Sequence, residues 1–94
     1  MKRMIRSTEG QWAVSLVVRN KVKGYLASID DEGVATFVEN VEGAQIFDSS
    51  SSAGYAIHQI LNTCDSLVYK NEEYGVADVD GTIYGVDIQI VNLD

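Results

Sequence analysis

The sequence predicts an α+β domain: an antiparallel sheet of about five strands, ordered β-β-β-α-β-β, with one amphipathic helix packed on one face. Three observations predict it. Apolar and polar residues alternate on both sides of a central segment, which is the period of a strand. Within that segment Ala53, Ala56, Ile57, Ile60, Leu61 and Cys64 recur at the three- and four-residue spacing of one helix face. Glycines and acids punctuate the alternating stretches as turns do. The 94 residues make one domain, with residues 1–10 read as a basic arm.

The first strand starts at Gln11. Trp12, Val14, Leu16 and Val18 fall on one face; Ala13, Ser15, Val17 and Arg19 fall on the other. "NKVKG", closed by Gly24, reads as a turn into Tyr25–Ile29. "DDEG", residues 30–33, is a hairpin turn with Gly33 at positive φ, and Val34–Val41 is the third strand. Ala44–Phe47 is a short extended entry to the helix. Asp48 and the serines at 49–52 offer oxygens to the unpaired N–H groups of its first turn. Gly54 costs up to about 1 kcal/mol against alanine there, so close packing is expected at it. Asn62–Asp65 is the exit.

The last third returns to strand. Leu67–Tyr69 is short, "KNEE" is a turn, and Tyr74–Val79 and Thr82–Val91 flank Asp80-Gly81. Asp78-x-Asp80-Gly81 resembles the start of a calcium loop. In that register, however, position 6 is Ile83 and position 12 is Gln89, where the loop needs glycine and glutamate. A two-residue Asp-Gly turn of type I′ fits instead. It pairs Ala77 with Tyr84 and Gly75 with Val86 on a core face, and gathers Asp78 and Asp87 on the outer one. The expected core is Trp12, Val14, Leu16, Phe37, Phe47, Ile57, Ile60, Leu61, Val86 and Ile88.

The composition narrows the function. The single cysteine, Cys64, has no intramolecular partner, which fits a reducing compartment. The basic start followed by an apolar stretch mimics a signal peptide, but polar residues 7–11 interrupt it; a cytoplasmic chain is expected. His58, the one histidine, lies about 600° around the helix from Cys64, so no Cys–His pair forms locally. The paired acids Asp30/Asp31 and Glu72/Glu73 sit in turns, solvated and ionised, unsuited to general acid catalysis. The expectation is a non-enzyme with no cofactor and no metal.

Charge carries more information. Six of the seven bases lie in residues 1–23, opposed only by Glu9, a balance of +5. From residue 24 on, Lys70 alone faces thirteen acids, a balance of −12. The acids Glu72, Glu73, Asp78, Asp80 and Asp87, with the turn acids Asp30, Asp31 and Glu32, are the candidate partner-binding set. Same-face acids on a strand stand roughly 6.6 Å apart, a loose imitation of phosphates along DNA. The partner is then a protein with a basic surface, such as a nucleic-acid-binding complex; no direct nucleic-acid binding and no membrane are expected. The helix suggests a second surface. Tyr55, His58, Gln59 and Asn62 form a face with no full charge, the composition of an interface core, and are candidates for self-association as a homodimer.

The stretch "AQIFDSSSSA" resembles the A-x-x-F-x-S-x-x-x-A strand–cap–helix element of small phage and mobile-element proteins, through Ala44, Phe47, Ser49 and Ala53. Small size and acidity also look like phage-encoded inhibitors, including anti-CRISPR proteins that imitate DNA. The resemblance implies an inhibitor acting in the cytoplasm of a bacterial host by occupying a basic site on its partner. The basic first 23 residues depart from an all-acidic mimic and leave a one-sided acidic patch. The alternative is a non-catalytic assembly protein that self-associates through the helix face or the N-terminal strand.

Overall fold

The computed structural model describes residues 9–79 and 85–94. Their order is β1 (Glu9–Val18), β2 (Lys21–Ile29), β3 (Val34–Val38), a 3-10 turn (Val41–Gly43), β4 (Phe47–Ser49), α1 (Ser50–Thr63), β5 (Ser66–Tyr69), β6 (Glu72–Gly75), a second 3-10 turn (Val76–Asp78) and β7 (Val86–Asn92). An α+β domain with one helix on a sheet matches the expectation. The sheet itself differs, having seven strands with mixed pairing.

β1 is its centre. Trp12 faces Phe47 on one edge and Asn92 on the other. β2 and β4 therefore follow one another along one edge of β1, and β7 fills the other. Beyond β2 the order continues β3, β5, β6. β3 and β5 are parallel, with Val34 opposite Ser66 and Phe37 opposite Tyr69, which corrects the all-antiparallel expectation. The cause is α1. It carries the chain back along the sheet, so β5 sets out from the end where β3 began, as a crossover requires.

The turns also shift. Arg19 and Asn20 take φ of 55° and 69° and close a two-residue β1–β2 hairpin; positive φ at both central residues is the type I′ signature. Residues 21–24 are thus strand, not turn. Gly24 serves packing instead: a Cβ there would lie 2.6 Å from the Val38 carbonyl oxygen and 2.9 Å from the Tyr69 ring. The β2–β3 turn is as expected, with Gly33 at φ 88°. Only Lys70 and Asn71 separate β5 from β6, so Glu72 and Glu73 are strand residues rather than turn residues. β3 stops at Val38, short of the expected Val41.

The expected hairpin register across Asp80-Gly81 is overturned; the dipeptide itself lies outside the described residues. Gly75 pairs with Ser66, Val86 pairs with Val18, and Val76–Asp78 is helical. Val79 meets Val86 in an isolated parallel bridge. β7 sets Val86, Ile88 and Ile90 against Val18, Leu16 and Val14 of β1. Those apolar cross-strand pairs outweigh what Gly75 and Ala77 could offer.

The core lies between one sheet face and α1. Val14, Leu16, Leu26, Phe37, Leu67 and Val86 meet Ala53, Ala56, Ile60 and Cys64. Trp12, Phe47 and Ile57 are half-buried at its margin, and Leu61 is 43% exposed, against expectation. Leu61 sits 100° around the helix from Ile60, beyond a stripe kept narrow by two alanines. Ala13, Ser15 and Val17 are buried on the opposite face of β1, where the Ser15 hydroxyl donates to the Gln89 carbonyl at 3.2 Å. Ser49 caps α1 by accepting from the Ser52 N–H at 3.2 Å. No atom lies within 4 Å of a Cβ built at Gly54, so the expected close packing there is absent.

Candidate functional site

Strand direction sorts the charges to two ends of the sheet. The bases among the described residues, Arg19, Lys21, Lys23 and Lys70, all lie at the end of the β1–β2 and β5–β6 turns. Acids meet them there. Lys23 Nζ lies 3.1 Å from Glu72 Oε1 and Lys70 Nζ lies 2.8 Å from Glu39 Oε1. The Tyr69 ring sits between the two lysines, its centroid 6.0 Å from Lys23 Nζ and 5.4 Å from Lys70 Nζ, within cation–π range. Tyr74 donates its hydroxyl to Glu72. That bond, then the Lys23 contact, holds the Glu72 carboxyl below its ordinary range; the same Glu72 bond, then burial, pushes the Tyr74 phenol up to about 12. The Lys70 hydrogen bond lowers Glu39, and Glu39 raises Lys70 in return.

The other end is acidic. It holds the β2–β3 turn with Asp30, Asp31 and Glu32, and the helix exit with Asp65. The Asp65 N–H donates to the Gly33 carbonyl at 2.8 Å, which locks the two segments side by side. The Asp30 carboxylate accepts from the Glu32 and Val34 N–H groups, both at 2.9 Å. This side chain therefore builds the turn that displays its neighbours. Among the described residues no lysine or arginine pairs with any of these four acids.

A groove leads from this acidic end along α1. Its body, about 430 Å³, lies between Ile29, Gln45 and Phe47 on one side and Ser52, Tyr55 and Gln59 on the other. A second hollow of about 310 Å³ shares Ile29 and Gln59 with it and ends at Asp30, Asp31 and Thr63. Tyr55 is 69% exposed on its lip. Tyr55 and Gln59, expected on a self-association face, thus adjoin two of the acids expected to bind a partner. His58 and Asn62 lie off the groove. His58 places its ring 6.5 Å from that of Tyr55, and Asn62 donates to the His58 carbonyl at 2.8 Å. Phe47, expected in the core, lines the groove instead as part of the strand that enters the helix, and Ile29 and Gln45 were not expected there, because no local pattern brings them to the helix.

The remaining expected acids are dispersed. Glu72 is engaged at the basic end, and Glu73 accepts from the Ser66 hydroxyl at 2.8 Å. Asp87 on β7 accepts from the Ile88 N–H and from the Gln89 amide, both at 2.9 Å. Asp78 ends the second 3-10 turn, and Asp80 lies outside the described residues. A hollow of about 730 Å³ at the basic end sets Arg19, Lys21 and Lys23 against Glu73 and Asp78. Opposite charges line it, so it favours neither sign of ligand.

His58 is exposed, whereas Cys64 is buried at 6% exposure in the core. Among the described residues no group of three His, Cys, Asp or Glu side chains is placed to hold a metal. No described helix is long and apolar enough to cross a membrane. No family model, no curated protein and no solved structure matches the chain.

Proposed function

We propose that this chain is a non-catalytic, inhibitor-type protein-binding module that presents its acidic end to a basic site on a partner protein, such as a nucleic-acid-binding surface. One observation carries the reading: Asp30, Asp31, Glu32 and Asp65 converge on two linked segments, and among the described residues no base is paired to them. Uncompensated charge of one sign steers an opposite surface during encounter, raising association rates by roughly 10–1,000-fold. Exposed acids keep that effect because they are displayed by a rigid turn rather than neutralised in it. The resemblance to phage-encoded inhibitors points to the same class of partner.

The test captures a partner with the full chain from a bacterial host and follows its association with wild type and with Asp31→Asn/Glu32→Gln/Asp65→Asn. Asp30 is kept because it builds the turn. The variant should associate roughly tenfold more slowly at low salt, and the difference should vanish at high salt, where exposed charges are screened. A folded variant that binds as fast as wild type at low salt removes the acidic end from the interface. Assembly of copies through the helix face is the competing reading, resting on exposed Tyr55. Sedimentation as a monomer at high micromolar concentration removes it.

A further inference from the structure

β7 lies at an edge of the sheet: it pairs with β1, and among the described residues no strand runs along its other side. The Gly85 carbonyl accepts from the Arg19 N–H at 2.9 Å, and the Leu93 N–H donates to the Gln11 carbonyl at 2.8 Å, so odd-numbered residues bond toward β1. The N–H and C=O groups of even-numbered residues point the other way, as alternation in an antiparallel ladder requires. Val79 covers that side at Val86. The Ile88 N–H is held by the Asp87 carboxylate at 2.9 Å. Among the described residues, the Ile88 carbonyl and both backbone groups of Ile90 and Asn92 stay open.

Sheet edges are commonly protected by shortness, charge, proline or a bulge. β6, at the far edge, is four residues long and begins with Glu72 and Glu73, both exposed. β7 has seven residues, and its register with β1 runs unshifted from Val86 to Asn92, so no bulge bends it away. Residues 88–93 read Ile-Gln-Ile-Val-Asn-Leu, without charge or proline in a chain of net charge −7. Ile90, at the middle of the open stretch, is 38% exposed.

The open stretch is symmetric about Ile90, and that symmetry selects its occupant. We propose that a second copy of this chain pairs with it, β7 against β7 and antiparallel, with Ile90 opposite Ile90 on a two-fold axis. Each Ile90 N–H then meets the other copy's Ile90 carbonyl, and each Asn92 N–H meets the other copy's Ile88 carbonyl. Gln89 faces Val91 and Asp87 faces Leu93, so no acid opposes an acid across the seam, an arrangement that would be destabilising. The strand of one copy ends where Val79 covers the other. The contact is isologous and closed, because it uses up both β7 edges. β1 separates β7 from β2 and its acidic turn, so Asp30, Asp31 and Glu32 stay displayed. The pair therefore forms whether or not that end binds a partner.

The full chain should sediment as a dimer at high micromolar concentration and as a monomer on dilution. Ile90→Lys sets two like charges face to face at the axis and should give a monomer with an unchanged far-ultraviolet circular dichroism spectrum. Tyr55→Lys, on the helix face, should leave the dimer intact. Amide exchange of the unmutated chain gives a readout that does not depend on how a variant folds. The Ile90 and Asn92 N–H groups should exchange roughly tenfold more slowly at high than at low concentration, because pairing protects them. A wild type that is monomeric at high micromolar concentration overturns the proposal. So does a dimer in which these two amides exchange as fast as in the monomer. A dimer that Tyr55→Lys dissociates and a folded Ile90→Lys does not overturns it as well, and assigns the contact to the helix face.

Discussion

The two ends of the sheet handle charge in opposite ways. At the basic end Glu39 and Glu72 come from distant parts of the chain to meet Lys70 and Lys23, and Tyr69 and Tyr74 tie the cluster together. At the acidic end Asp30, Asp31, Glu32 and Asp65 meet no described base. Folding therefore pairs part of the charge that the sequence segregates and leaves part displayed, four acids of it on a turn and a helix exit. An end whose charges are paired is built for cohesion; an end whose charges are displayed is available for encounter.

The largest expected effect falls on the core that joins the two ends. Ile60 is fully buried, and Ile60→Ala should cost about 2–5 kcal/mol. Leu61→Ala, one residue on and 43% exposed, should cost far less. Equal losses in chemical denaturation would refute the placement of the helix stripe. Next comes the acidic end's own scaffold. Asp30→Ala leaves the Glu32 and Val34 N–H groups without their acceptor and should cost about 1–3 kcal/mol. Asp30→Asn, which keeps an acceptor oxygen, should recover much of this in the same denaturation series.

Charge reversal distinguishes the ends directly. Asp31→Lys with Glu32→Lys relieves repulsion, so thermal stability should hold or rise, within about 0.5 kcal/mol. Lys70→Glu sets two carboxylates together and should lower the melting temperature. A fall in both variants would mean that the acidic end is paired after all. The smallest effect is a titration. Tyr74 ionises near 12 in the folded chain because its neutral phenol donates to Glu72. Since that value is raised above the ordinary 10, its contribution to stability is complete below pH 10 and is lost as pH climbs through 12. Ultraviolet titration should show the late Tyr74 phenol, and Glu72→Gln should bring it down.

How much of this was legible in the sequence depends on the range of each contact. The helix stripe, the serine cap and the Asp30–Gly33 turn were readable, because each is decided within four or five residues. The Arg19-Asn20 turn was overlooked because Gly24 drew the assignment away. In fact Gly24 is small to admit Tyr69, a contact 45 positions distant. Asp80-Gly81 carried a strong local turn signal. Yet the strand after it pairs with β1, and no alternation pattern names a partner. The groove was half legible. Tyr55 and Gln59 stood out as a charge-poor face, but Ile29 reaches it only through the strand order.

The place of β7 also bears on how the molecule can be made. It is synthesised after every other described strand, yet it completes one whole edge of β1; Ser15 and Gln89, which bond across that seam, are 74 positions apart. Until residue 92 has left the ribosome, the first strand waits with an apolar edge and no neighbour there. Contacts this distant close slowly, and an open edge invites pairing with another chain. Folding is thus held back until synthesis has passed the final strand, and a nascent chain halted before Val86 should be prone to aggregate.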